Sequence, residues 1–147
     1  MKSEPDACSI DDALAAPKRI TPWTGVRNYQ ARNTMRDLMR IGDGVFFYHS
    51  SCPDPGIAGL AEVATAPYPD PSQFDRQSPY YDAKSARAAP RWICVDVRAL
   101  KKTRLVPLPE LHAHAALKRM WTLRPGNRLS ITPVTAAEWK FICGKLL

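Results

Sequence analysis

The chain has 147 residues, 45% apolar and 24% charged, with 21 Lys and Arg against 14 Asp and Glu for a formal net charge of +7. That length and composition suit one globular domain over residues 1–147, and no stretch approaches the ~20 apolar residues that span a bilayer. No charged n-region precedes an apolar run of the secretory kind, so a cytoplasmic protein without a membrane partner is expected. The basic excess favours a polyanionic partner, with a protein that is merely basic as the alternative.

In chain order, Pro5 biases Glu4 toward an extended backbone. Ser9-Ile10-Asp11-Asp12 is a capping box written with Asp, which predicts a short helix over Ile10 to Ala16. Pro17 and Pro22 end it and lead into Trp23-Thr24-Gly25-Val26-Arg27-Asn28. Tyr29 to Arg40 is free of Gly and Pro and places Met35, Leu38 and Met39 at helical spacing, with Asn28 as N-cap and Gly42 as stop. Val45 to Ser50 reads as a strand, and Gly59 to Tyr68 as a second one across the turn residues Pro53 to Gly56. Several of the 14 prolines cluster between Pro53 and Pro90, where loops and extended connections are expected. Trp92 to Val97 reads as a third strand, buried on both faces. Pro109 to Met120 then reads as a helix, Leu129 to Thr132 as a strand, and Thr135 to Leu147 as a closing helix with its own box, Thr135 to Glu138. Strands scattered among short helices, without a βαβ rhythm, predict an α+β fold on a small mostly antiparallel barrel or curved sheet.

No phosphate-cradling glycine loop, dinucleotide fingerprint, metalloprotease helix or nucleophile elbow is present. Gly42-Asp43-Gly44 is too short to cradle a phosphate and reads as a turn. Cys52 near His49 is no evidence of a thiol–imidazole pair, because pairing needs spatial contact. His112 and His114, two apart, do not share a helix face and read as surface residues. Cys8, Cys52, Cys94 and Cys143 never approach zinc spacing and read as reduced and mostly buried, so neither a structural metal nor a cofactor is expected. Trp23 is more suggestive. It stands in a Gly-flanked, Pro-preceded segment beside Arg27 and Asn28, and an aromatic wall with amide groups is what holding a nucleobase requires. A ring anchoring a loop to the core is the competing reading. On the strand, Phe47 and His49 share one face while Phe46, Tyr48 and Ser50 share the other. One face is core, and the other either lines a cavity or is buried too.

Met1-Lys2-Ser3-Glu4-Pro5, Trp23 through Asn33, Phe47-Tyr48-His49-Ser50, Tyr68-Pro69-Asp70, Pro90-Arg91-Trp92, Val95-Asp96-Val97, Arg128 through Ile131, Pro133-Val134-Thr135 and Glu138-Trp139 follow one another in register with the signatures of the EVE domain. The chain therefore resembles that family along essentially its whole length. The resemblance implies a PUA-like fold, a small mostly antiparallel β-barrel surrounded by short helices. It also implies a non-enzymatic, monomeric module that takes a modified nucleobase, such as a methylated cytosine in DNA or RNA, into an aromatic-walled pocket. A hydrolytic enzyme acting on nucleic acid or a modified nucleotide is the alternative, because related barrels carry such sites. Lys2-Ser3-Glu4 is similar to the Lys-Ser-Asn strand of YTH domains, which hold a methylated adenine between tryptophans. Family members carry a few residues ahead of this signature, so either the first strand is short here or the true start lies upstream of Met1. On this reading Trp23 stacks on the base; Ser3, Glu4 and Asn28 read its edge; His49 and Ser50 form the floor; Lys2 and Val26 complete the pocket. Arg27, Arg32 and Lys84 are the candidates for phosphate contact.

Overall fold

The computed structural model describes all 147 residues, and three of its helices begin where the sequence places capping signals. The Ser9 hydroxyl accepts the Asp12 amide while the Asp12 carboxylate accepts the Ser9 amide, which starts α1 (Ile10–Ala15). Asn28 caps α2 (Tyr29–Asn33) by accepting the Ala31 amide at 3.0 Å. Beyond it the backbone widens into a π turn over Thr34–Leu38, so the regular helix does not run on to Arg40. Ala31 and Met35, four residues apart, bury one side of this segment. α3 (Leu108–Ala113) is shorter than the helix expected to Met120 and gives way to a single 3-10 turn at Ala115–Leu117. Thr135 and Glu138 form the second capping box, which starts α4 (Ala136–Lys145).

Seven strands complete the fold: β1 (Lys2–Ser3), β2 (Ile20–Pro22), β3 (Gly44–His49), β4 (Gly56–Val63), β5 (Tyr68–Pro69), β6 (Ile93–Cys94) and β7 (Asp96–Pro107). Five of them form one sheet in the order β1-β3-β4-β7-β2, and β5 and β6 pair separately as a ribbon. Only β1 with β3 is parallel; the other pairs are antiparallel. Irregularities at Phe47/Tyr48, Ile57/Gly59 and Leu60/Ala61 bend the central strands, because a bulge increases local twist. The sheet curls but does not close, which corrects the expected barrel: β1 and β2 stand at its two ends and do not pair with each other. Three strand boundaries also differ from expectation. The second strand ends at Val63, the third divides into β6 and a 12-residue β7, and Leu129–Thr132 is not a strand. That last segment is tied to β1 by the Ser130 carbonyl, which accepts the Lys2 amide at 2.7 Å, and to the first core cluster by Ile131.

Apolar side chains fill both faces of the sheet. Val45 and Phe47 of β3 enter a cluster with Ile10, Trp23, Met35 and Val97. Phe46 and Tyr48, alternating with them, enter a second cluster with Leu111, Leu117 and Ile142. β3 is therefore core on both sides. All four cysteines are free thiols.

Candidate functional site

The gap left by the unclosed sheet gathers seven of the eleven residues named from the sequence. Lys2 and Ser3 from one edge and Thr21 and Pro22 from the other line a cavity of about 670 Å³. Glu4, Trp23, Val26, Arg27 and Ser50 line it as well. A larger groove of about 820 Å³ is walled by Phe46, Tyr48 and Trp139 and is mostly apolar. It meets the first cavity only at Lys2 and Ser130. The smaller cavity is the better candidate, because it joins aromatic surface to unspent polar groups.

Those groups follow from the open edges. The amides of Glu4, Thr24 and Val26 and the carbonyl of Thr24 have no hydrogen-bond partner within the chain. The Ser3 hydroxyl donates to the Cys8 carbonyl at 2.7 Å, which leaves its oxygen free only to accept. Ser50 holds β1 in place, its amide donating to the Ser3 carbonyl at 2.9 Å. Burial pushes the Lys2 ammonium below its ordinary pKa, and its Nζ lies 5.8 Å from the centre of the Tyr48 ring. Trp23 is 8% exposed and meets Phe47 edge to face at 5.5 Å. It is both a core residue and a lining residue of the cavity.

A second aromatic residue of the wall is one that sequence reasoning missed. Tyr80, 44% exposed, lines the cavity from the Pro-rich stretch, where no periodicity announces it. It is held by Arg27, whose Nε and Nη2 donate to the Tyr80 carbonyl at 3.0 and 2.7 Å. The remaining guanidinium protons go to Ser72 Oγ, the Val26 carbonyl and Asp70 Oδ2, each at 3.0 Å. All five donors are thus spent inside the chain, which corrects the expected phosphate contact: Arg27 is a brace. Asp70, with no solvent exposure, accepts from the Gly25 amide at 2.8 Å and from Ser72 through both amide and hydroxyl. Burial pushes its carboxyl up, but the bonds from Ser72, Gly25 and Arg27 outweigh that and hold it below the usual carboxylate range.

Four further expectations resolve individually. Asn28 spends its side-chain oxygen on the α2 cap and does not line the cavity. His49 is likewise outside it, because its Nε2 accepts the Ile10 amide at 3.1 Å. Arg32 donates to Asn33 Oδ1 and the Arg91 carbonyl and lies 4.6 Å from the centre of the Tyr29 ring, away from the cavity walls. Lys84 is exposed on the loop that carries Tyr80 and has no ion-pair partner, though it does not line the cavity either. Besides Tyr80, the walls missed from sequence include Arg128 and Ser130, which folding brings from the far end of the chain.

The EVE domain model matches residues 1–145. Human thymocyte nuclear protein 1 is 44% identical over 97% of this chain and 70% of its own length. A crystal structure of a protein from Pseudomonas putida superposes with a TM-score of 0.93 at 45% identity, covering 98% of this chain and 95% of that one. The crystal structure of human THYN1 protein in complex with 5-methylcytosine containing DNA gives a TM-score of 0.90 at 44% identity, with 98% and 94% covered. With its fold and nearly its whole length matched, the chain belongs to the EVE domain family.

Proposed function

We propose that this protein is a non-enzymatic reader of DNA that takes a modified cytosine into the cavity between β1 and β2. The observation that carries the reading is the cavity itself. Trp23 and Tyr80 supply flat apolar surface, and the unpaired main-chain groups of Glu4 and Thr24 supply an edge to hydrogen-bond. The relative solved with 5-methylcytosine containing DNA supports the choice of base. A base inside a duplex is out of reach of such a cavity, so it enters flipped or already unstacked. Stacking on an aromatic ring contributes ~1–3 kcal/mol per base. Glu4 is exposed at the wall, and its carboxylate suits the exocyclic amine of cytosine, which is a donor. Lys84 remains a candidate for phosphate contact. The protein acts as a monomer in the cytoplasm on this reading. No helix is long and apolar enough to cross a membrane.

Titration at fixed salt with duplexes differing only in cytosine, 5-methylcytosine or 5-hydroxymethylcytosine tests the proposal, with the same bases in RNA as comparators. Tighter binding to a modified duplex is expected. Glu4→Ala should change the preference among bases more than the overall affinity. Equal affinity for all three duplexes would remove the reader and leave only generic polyanion binding.

A further inference from the structure

The charge of this chain is unevenly placed, and one end of the imbalance, at Arg128, reaches the cavity. Between Glu110 and Glu138 there is no acidic residue, while Lys118, Arg119, Arg124 and Arg128 all fall in that interval. These four cations are more than half of the formal net charge of +7. Elsewhere Arg27, Arg36, Arg91, Arg98, Lys102 and Arg104 are each paired with a carboxylate, but none of the four is.

The backbone displays them outward. Leu117, Met120 and Leu123, three residues apart, are buried in the second core cluster and pin the segment through its apolar side. Lys118, Arg119, Arg124 and Arg128 are all exposed. Successive turns keep the stretch folded back on itself: the Met120 amide bonds to Leu117, Leu123 to Met120, Arg124 to Trp121 and Asn127 to Arg124. The Arg124 guanidinium lies 4.9 Å from the centre of the Trp121 ring. The segment ends in the cavity wall, since Arg128 and Ser130 both line it.

We infer that Lys118–Arg128 is the surface that receives the phosphodiester backbone flanking the base held in the cavity. This inference rests on the reading proposed above. Its physical basis is an unneutralised cationic strip on an ordered support whose last residue, Arg128, lines the cavity that would take the base. A nucleic-acid backbone, with a charge at every nucleotide, matches an unpaired strip of that kind. Arg27 is excluded from this task because its donors are already spent.

The test is a triple variant, Lys118→Gln, Arg119→Gln and Arg124→Gln, which spares the cavity wall and whose side chains make no ion pair that folding would miss. Its control is Lys101→Gln, Lys140→Gln and Lys145→Gln, which removes the same net charge from exposed positions of β7 and α4. Binding to duplexes with and without 5-methylcytosine is measured across a range of salt. The slope of log K against log salt should flatten by about 0.9 for each phosphate that the variant no longer neutralises. At 0.15 M salt the triple variant should bind both duplexes about 10–100-fold more weakly, with their ratio unchanged. The control should leave the slope nearly intact. Equal losses in both triples, an unchanged slope, or a loss confined to vesicles of anionic lipid would overturn the inference. A wild type that does not distinguish the two duplexes would sink the reader instead, and the slope would still decide the strip.

Discussion

Gly25 governs how the aromatic side of the cavity is assembled. Its φ of +84° lies in the left-handed region, and a Cβ built there would come within 2.7 Å of the Tyr80 ring. Its amide also donates to Asp70, so one residue couples the buried acid, the brace at Arg27 and the exposed ring. Gly25→Ala therefore meets two penalties: the conformation costs about 1–2 kcal/mol for a residue with a Cβ, and the ring must shift. The expected outcome is a modest fall in stability in urea unfolding, with a loss of preference for the modified duplex beyond what Tyr80→Ala alone produces. If Gly25→Ala keeps the wild-type preference, Tyr80 is not a wall that matters. The sequence exposed part of this arrangement. Trp23 and Gly25 are neighbours in a segment unsuited to helix, whereas Tyr80 stands more than fifty residues away and only the Asp70–Arg27 network joins them.

Among elements, α1 shows most directly how local signal and tertiary contact divide the work. Its capping box was legible because it is written in four consecutive residues. Six residues are nevertheless too few for a helix to stand alone in water. His49 of β3 ties it down by accepting the Ile10 amide, which requires a neutral imidazole nitrogen. Burial pushes the His49 pKa below its ordinary 6.5; the nearby Asp11 carboxylate opposes that shift and the Lys102 ammonium adds to it. A folded pKa below the unfolded one means that the unfolded chain binds the proton more readily. The stabilisation is therefore complete above about pH 6.5 and is lost as pH falls through the folded value. Urea unfolding at pH 7.5 and 5.5 should show the wild type weakening and His49→Gln weakening less; identical pH slopes would argue against the tie. Other elements were hidden for physical reasons. β7 carries the cations Arg98, Lys101, Lys102 and Arg104, which break the apolar alternation and mask a strand of 12 residues. β1 and β2, at two and three residues, are too short to show any period. Their edge positions, which leave the barrel open and make the cavity, follow from pairing with distant strands.

At the scale of the molecule, β3 and its neighbours are a wall shared by two cores. Phe47 enters one cluster and Phe46 the other, so neither core can open without loosening the strand that also holds β1 at the cavity. A chain of this length with a common sheet should unfold in one cooperative step. Phe47→Ala, at 1% exposure, removes a ring from the first cluster and should cost about 3–5 kcal/mol; Ile142→Ala, fully buried in the second, about 2–5 kcal/mol. If the wall is shared, each variant lowers a single transition that coincides by far-ultraviolet and near-ultraviolet circular dichroism. Two separated transitions in Ile142→Ala would show instead that α4 and its cluster melt alone. The same linkage bears on binding. A modified duplex that occupies the cavity binds only the folded sheet, so at 100 times its Kd it should raise stability by about 2.7 kcal/mol. Because the sheet is common to both clusters, that gain should appear equally in Phe47→Ala and Ile142→Ala. A gain confined to Ile142→Ala would mean that the cavity's edges answer to the first core only.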